Sequence, residues 1–169
     1  MPLYYLDTSA LLKRYRTEIG TRVLDALFSA RTRDELVITS HFTAAEVESV
    51  AARALKGRLL TKKAHAVLLS LFADDLENVL IVLPVSTVLL SEAAAVARNY
   101  ALRASDALHL ATALRARQAS ATEIVFTASD KELVEAAGRA GFTVLNPETE
   151  NALAALHETR DQEGSRDAE

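Results

Sequence analysis

The feature that most restricts the fold of this chain is a regular alternation between two kinds of segment. Short runs of β-branched, aromatic and aliphatic residues alternate with longer stretches in which apolar residues recur at the period of an α-helix. The short runs are almost entirely apolar, which is typical of parallel strands that are covered by helices on both faces. We predict strands at Leu3–Leu6, Leu36–Thr39, Leu80–Leu83, Ile124–Thr127 and Thr143–Leu145.

The longer stretches predict helices that connect and cover these strands. They are expected at Ala10–Tyr15, Thr21–Ser29, Ala44–Lys56, Thr61–Asn78, Thr87–Ala101, Asp106–Ala119 and Asp130–Ala140. The predicted fold class is therefore α/β, a three-layer α/β/α sandwich around a parallel five-stranded sheet of the Rossmann-like type. Residues 1–156 are expected to form one domain. Residues 157–169 are charged and almost free of apolar side chains, so a disordered tail is expected there.

The composition excludes several classes of protein. The 169 residues include no cysteine, which excludes disulfides, a Cys-ligated zinc site and a cysteine nucleophile. No Gly-rich phosphate-binding motif is present, so ATP and NAD are not expected. The N-terminus does not have the pattern of a signal peptide, and the apolar run Val79–Leu90 is interrupted by Pro84 and too short to cross a bilayer. A cytoplasmic protein without membrane contact is expected.

Acidic residues fall at positions where α/β proteins build their sites. Asp7 and Asp130 follow the first and fourth predicted strands, while Glu46 and Asp106 lie near the starts of two helices. Ligands of open α/β sheets bind beyond the carboxyl ends of the strands, so the four side chains can converge there. Two carboxylates within about 5 Å repel by roughly 3 kcal/mol at an effective dielectric of 20. Such a cluster must protonate in part or bind a cation, and a set of oxygen ligands favours Mg²⁺ or Mn²⁺.

Each acid also has a structural interpretation, and two other functions follow from the same residues. Glu46 fits a capping box with Thr43, and the three aspartates fit helix N-terminal positions, which would leave a non-catalytic binding module. An aspartate-based phosphotransferase would use Asp7 as its nucleophile. This alternative is weaker, because Ser9 occupies the position where such enzymes carry a second acid.

Basic residues supply candidate contacts for a polyanion, which the net charge of −4 does not attract overall. Lys13 and Arg14 follow the first strand, and Arg53, Lys56 and Arg58 belong to a segment without acids. The alternative for both groups is a solvated surface. The four histidines, including the one at position 109, show no metal-binding spacing and are interpreted as structural or surface residues.

Four motifs that contain the acids occur in order along the chain. They are LDTSALLK at 6–13, TAAEV at 43–47, ASDALHLATA at 104–113 and FTASDKEL at 126–133. Together these motifs resemble those of PIN-domain ribonucleases, and most closely the VapC type of toxin. The resemblance extends from about Leu3 to Asn146 and Pro147, and leaves only the charged tail uncovered.

The resemblance implies a metal-dependent endoribonuclease that leaves a 5′-phosphate and a 3′-hydroxyl and acts as the toxin of a toxin–antitoxin pair. It assigns Asp7 and Asp106 as direct ligands of Mg²⁺, for which Mn²⁺ can substitute. It assigns Glu46 and Asp130 to completing the cluster and orienting the nucleophile.

The resemblance also implies supporting residues and partners. Ser9 and Thr127 fall where the family often has a hydroxyl, and both are expected to hydrogen-bond to the carboxylates or to a metal-bound water. Glu48 and Glu132 are nearby alternatives to the second and fourth acids. The implied partners are an RNA substrate, a small antitoxin and a second copy in a homodimer. The phosphates of the RNA would contact the basic residues, and the antitoxin would insert a side chain into the acidic pocket.

Overall fold

The computed structural model of the chain describes residues 3–29, 35–120 and 122–166. Its five strands are β1 (Leu3–Leu6), β2 (Leu36–Ser40), β3 (Ile81–Leu83), β4 (Ile124–Thr127) and β5 (Thr143–Leu145). All neighbouring strands are parallel, and their order in the sheet is β3-β2-β1-β4-β5. The predicted parallel five-stranded sheet is therefore confirmed.

The described residues form eight helices. They are α1 (Thr8–Leu12), α2 (Thr21–Ser29), α3 (Phe42–Lys56), α4 (Lys62–Asn78), α5 (Thr87–Tyr100), α6 (Ala104–Ser120), α7 (Lys131–Arg139) and α8 (Ala152–Arg166). The first seven agree with the predicted helices to within three residues at either end. In α1 the end shifts from the predicted Tyr15 to Leu12, and the start shifts to Thr8 because the side chain of Asp7 accepts the amide hydrogen of Ala10 and caps the helix.

The eighth helix extends into the segment from residue 157 for which a disordered tail is expected. Leu156 is fully buried, and Arg160 donates from Nε and Nη2 to the two carboxylate oxygens of Glu35, at 2.7 and 2.9 Å. Arg160 Nη2 also donates to the carbonyl oxygen of Leu27 at 3.1 Å. The arginine of this charged segment therefore has a buried partner far away in the chain. Residues 167–169 lie outside the described residues.

The side chains of the strands point alternately into two apolar cores, which gives the sandwich its three layers. Tyr5 packs in the core beneath α5, α6 and α7, whereas Tyr4 and Leu6 pack in the core beneath α1 to α4 and α8. The ring of Tyr5 stacks on that of Phe126, its partner in the parallel register of β1 and β4, with centroids 5.2 Å apart. The predicted α/β/α arrangement is confirmed.

The central strand β1 creates a crevice at one edge of the sheet. The chain extends from β1 to β2 and β3 on one side, and β4 and β5 complete the other side, so strand order reverses next to β1. The backbone N–H of Asp7 donates to the carbonyl oxygen of Thr127 at 3.1 Å, which joins the carboxyl ends of β1 and β4. Ligand sites of open α/β sheets form at such a reversal. None of the described helices combines the length and the apolar character needed to cross a membrane.

Candidate active site

Asp7 lies at the carboxyl end of β1 and is held by three hydrogen bonds. Its Oδ1 accepts from the backbone N–H of Ala10 at 2.8 Å, and Ser9 Oγ contacts Oδ2 at 2.8 Å and Oδ1 at 3.0 Å. Only 5% of the residue is exposed. Burial raises the pKa of the Asp7 carboxyl, and the His109 ring and the hydrogen bonds from Ala10 and Ser9 offset this only in part. The Asp7 side chain is therefore held in one position, and its burial disfavours the ionised form of the carboxylate.

Glu46 lies on the first turns of α3 and receives two side-chain hydrogen bonds on one oxygen. Its Oε2 accepts from Thr8 Oγ1 and from His109 Nε2, the latter at 2.8 Å. Burial acts to raise the pKa of Glu46, but the hydrogen bonds from His109 and Thr8 and the charge of Arg53 outweigh it and lower the pKa. The environment of Glu46 thus favours the ionised form, in contrast to that of Asp7.

The other two acids begin helices on the opposite side of the crevice. Asp106 lies in the first turn of α6, and Asp130 caps α7, where its Oδ1 accepts from the backbone N–H of Leu133 at 3.1 Å. Burial and the nearby charge of Asp130 raise the pKa of Asp106, and the charge of Arg103 opposes that rise. The two aspartates are therefore close enough to repel each other.

All four acids line one pocket of about 540 Å³ at the carboxyl edge of the sheet. Glu48 and Glu132 are exposed and are not among the residues that line this pocket. Within residues 3–29, 35–120 and 122–166, however, no three His, Cys, Asp or Glu side chains are close enough to form a ready-made metal site. The four acids thus share a cavity, but their side chains are not arranged around a common point.

The two predicted hydroxyl groups have different environments. Ser9 Oγ contacts both oxygens of Asp7 and also accepts from the backbone N–H of Ser129 at 3.2 Å. Thr127 Oγ1 does not contact a carboxylate, because it is buried and has no hydrogen-bond partner among the described residues, and its contact with a metal-bound water stays a prediction. Thr127 supports the site through its backbone, since its carbonyl oxygen accepts from the N–H of Asp7.

Two of the basic residues are not available to bind phosphate. Lys13 is only 4% exposed, and its Nζ lies 2.6 Å from a carboxylate oxygen of Glu148. Arg14 donates from Nε and Nη2 to the carboxylate of Asp75, and its guanidinium lies over the ring of Phe28, 4.0 Å from the centroid. Lys13 and Arg14 are therefore corrected to structural residues, because their charges are neutralised within the fold.

The remaining basic residues are exposed. Arg53 lines the pocket with the four acids, and its Nη1 donates to Ser49 Oγ at 2.9 Å. Lys56 is the last residue of α3 and Arg58 lies beyond it, and neither lines the pocket. Arg53 is thus the predicted basic residue that the structure places beside the acids.

His109 is the pocket residue whose role the sequence reasoning missed. It is 2% exposed and lines the pocket, and its Nδ1 lies 2.8 Å from the hydroxyl of Tyr5. The interpretation of this histidine as a structural residue agrees with its burial but omits its contact with Glu46. A signal was present in the sequence, because residues three positions apart on a helix share a face and His109 follows Asp106 by three.

Comparison with known proteins identifies the family. Residues 4–139, most of the chain, match the family described as PIN domain. The chain belongs to the PIN domain family. No curated protein matches the chain.

Several solved structures share the PIN fold with this chain. VapBC-1 from nontypeable Haemophilus influenzae is 12% identical, with a TM-score of 0.60 over 87% of this chain and 99% of that chain. VapC20 from Mycobacterium tuberculosis, described as a toxin that cleaves the sarcin-ricin loop, is 18% identical, with a TM-score of 0.59 over 82% of this chain and 95% of that chain. FitAcB from Neisseria gonorrhoeae is 21% identical, with a TM-score of 0.54 over 85% and 97%. At these identities the likeness concerns the fold.

Proposed function

We propose that this chain is a metal-dependent endoribonuclease that acts as the toxin of a toxin–antitoxin pair. The observation that carries the proposal is the shared pocket, in which Asp7, Glu46, Asp106 and Asp130 from four separate elements meet at the carboxyl edge of the sheet. Membership of the PIN domain family supports a nuclease. The fold shared with VapC20, itself described as a sarcin-ricin loop cleaving toxin, supports RNA as the substrate.

The donor set fits Mg²⁺, with Mn²⁺ able to substitute. All four acids offer oxygen, the ligand that these cations prefer, and full ionisation is unfavourable at Asp7 and Asp106 without a cation, because burial raises the pKa of both. Since no three acids among the described residues form a metal-sized group, we expect the side chains of Asp106 and Asp130 to move toward Asp7 and Glu46 when an ion binds. A bound divalent ion would neutralise charge that develops on the phosphodiester and acidify the attacking water.

The residues of the chain hold the reacting groups in place. Ser9 and the backbone of Ala10 fix Asp7, so this carboxylate is ordered before an ion arrives. Asp130 is the most exposed of the four acids and is the residue we assign to orienting the nucleophile. Arg53 lies beside the acids and is suited to bind a phosphate of the RNA next to the scissile one.

The test is cleavage of RNA by the purified protein in Mg²⁺, with the variant Asp7→Asn. Asparagine is as good a helix cap as aspartate, so the variant should fold, yet it lacks the charge that an ion requires. We expect the parent to cut RNA and Asp7→Asn to lose that activity. Asp25→Asn is the matched control, because Asp25 is exposed on α2 and does not line the pocket. Equal cleavage by Asp7→Asn and the parent would refute the proposed mechanism.

A non-catalytic binding module is the second candidate, and two observations favour it. Asp7 and Asp130 both cap helices with Oδ1, and the described residues hold no preformed metal group. Calorimetric titration of the protein with Mn²⁺ separates the two candidates. Saturable binding that Asp106→Asn weakens supports the nuclease, whereas the absence of saturable binding supports the module.

The proposed partners follow from the same function. We propose a small antitoxin that inserts a side chain into the acidic pocket, and a homodimer as the form of the free toxin. Similar folds in toxin–antitoxin complexes support the first of these. Co-expression with the product of the gene immediately upstream, followed by co-purification and loss of RNA cleavage, tests the antitoxin. Light scattering of the purified chain tests the dimer.

A further inference from the structure

His109 is a buried imidazole whose two nitrogens both have polar partners. Its Nδ1 lies 2.8 Å from the hydroxyl of Tyr5, and its Nε2 lies 2.8 Å from Glu46 Oε2 and 3.2 Å from Thr8 Oγ1. The hydroxyl of Tyr5 belongs to a residue with no exposed surface. A continuous hydrogen-bonded chain therefore runs from the core beneath α6 to an acid of the pocket.

Packing fixes the imidazole as firmly as its hydrogen bonds do. The ring of Tyr5 meets it edge-on, with centroids 6.0 Å apart, and the ring of Phe42 lies at 6.3 Å on a tilted plane. The residues of α6 from Ala107 to Ala113 are all buried, so the helix has no freedom to turn the ring away. Because His109 is held from two sides, its Nε2 is a donor at a fixed position.

The partners of the ring determine where its proton lies. An ionised carboxylate only accepts hydrogen bonds, so the nitrogen that contacts Glu46 must carry a hydrogen. In a neutral imidazole the other nitrogen is then an acceptor, and the hydroxyl of Tyr5 donates to it. Burial raises the pKa of Tyr5 well above its ordinary value, which keeps this hydroxyl protonated.

Glu46 benefits from such a donor because it is the longest of the four acidic side chains. Both of its side-chain hydrogen bonds, from Thr8 and His109, fall on Oε2. The carboxylate is thereby restricted to one orientation while Oε1 remains available to a ligand. A side chain that is already ordered loses less conformational entropy when it binds an ion.

We propose that His109 is a positioning residue that, with Tyr5 behind it, holds the Glu46 carboxylate in the orientation needed to bind the divalent ion. The proposal rests on the proposed function for the identity of that ion. It assigns no metal ligand to the imidazole, since Nε2 is occupied by Glu46. Removal of hydrogen-bond partners of this kind lowers metal affinity or activity by about 10–100-fold.

Two substitutions at position 109 separate positioning from packing. His109→Leu retains a side chain of similar bulk but removes both polar atoms, whereas His109→Gln can place its amide N–H near the position of Nε2. We expect His109→Leu to weaken Mn²⁺ binding, measured by calorimetry, by about 10–100-fold. We expect His109→Gln to recover most of that loss. Leu110→Val is the control for altered packing of α6, because Leu110 is fully buried in the apolar core, and it should bind Mn²⁺ as the parent does.

A measurement on the metal-free protein tests the hydrogen bond itself. Nitrogen-15 NMR of the histidine side chains should show a protonated Nε2 in His109, and Tyr5→Phe should shift the Nδ1 resonance while retaining the ring stack on Phe126. An unprotonated Nε2, or Mn²⁺ binding by His109→Leu equal to that of the parent, would overturn the proposal. If the parent neither binds Mn²⁺ nor cuts RNA, the proposed function fails, and the NMR result still decides whether His109 holds Glu46.

Discussion

Substitution of Arg14 and Arg53 by methionine should separate a structural arginine from an RNA-binding one. Arg14 is 28% exposed at its side chain and makes two hydrogen bonds to Asp75, which is 4% exposed. Removing one partner of a buried ion pair costs about 3–5 kcal/mol. We expect Arg14→Met to lose about 3 kcal/mol of unfolding free energy, near the lower limit of this range. Arg14 is partly exposed, and the Tyr15 hydroxyl remains 2.7 Å from Asp75.

The corresponding assays are chemical and thermal unfolding together with RNA cleavage kinetics. A loss of about 3 kcal/mol lowers the melting temperature of a chain of this size by about 6–12 °C. The KM for RNA should not change in Arg14→Met, because the guanidinium does not line the acidic pocket. The double variant Arg14→Met/Asp75→Leu should recover stability relative to Arg14→Met, since it removes the buried carboxylate as well.

Arg53→Met should give the opposite result. Arg53 is exposed beside the acids, so its loss should leave the melting temperature nearly unchanged and raise the KM for RNA. The salt dependence of RNA binding should become shallower, with the slope of log K against log salt smaller by about 0.7 for single-stranded RNA. An unchanged melting temperature for Arg14→Met combined with a raised KM would refute the assignment of Arg14 to the fold.

Three further outcomes are expected from the structure. Burial raises the pKa of Asp7, so the charge of its carboxylate destabilises the fold as pH rises through that pKa. Asp7→Asn should therefore stabilise the metal-free protein in urea unfolding at neutral pH, and equal or lower stability would contradict this. A chain that ends at residue 150 should lose several kcal/mol of unfolding free energy in the same assay, because it lacks the buried Leu156 and the ion pair of Arg160. Unchanged stability would show that α8 does not pack as described. Gly20→Ala should lower the melting temperature, because Gly20 has φ +93° and a Cβ would lie 2.9 Å from the carbonyl oxygen of Pro147. An unchanged melting temperature would contradict that close approach.

The parts of the fold that could be predicted from the sequence are those with local signals. The strand at Ile124–Thr127 opens with three consecutive apolar residues, and its predicted limits agree with the structure because a strand that is buried on both faces is mostly apolar. The position of Asp7 followed from the same signal, since a strand end in a parallel sheet is also an edge of the crevice. Glu46 could be preferred over Glu48 only through the family motif, and the pocket lining agrees with that choice.

The parts that could not be predicted depend on contacts between distant residues. Arg160 resembles any solvated charge in a polar tail until Glu35, 125 positions away, is seen to accept from it inside the fold. Arg14 and Asp75, 61 positions apart, are a second case. A charge in a sequence shows no partner, so composition favours a solvated surface for each of these residues. The error has one physical origin, because ion pairs become buried only through tertiary packing.

The structural and catalytic interpretations of the acids are compatible, since they use different electron pairs of the same carboxylates. Asp7 accepts from Ala10 on Oδ1 and from Ser9 on both oxygens, whereas Glu46 accepts from Thr8 and His109 on Oε2. Each carboxylate oxygen has two lone pairs, and the remaining ones are available to a cation. The hydrogen bonds that make each acid look like a structural residue are thus also the ones that order it for an ion. Replacing Asp7 by asparagine retains the cap and removes the charge, which is why that substitution, rather than alanine, distinguishes the two roles.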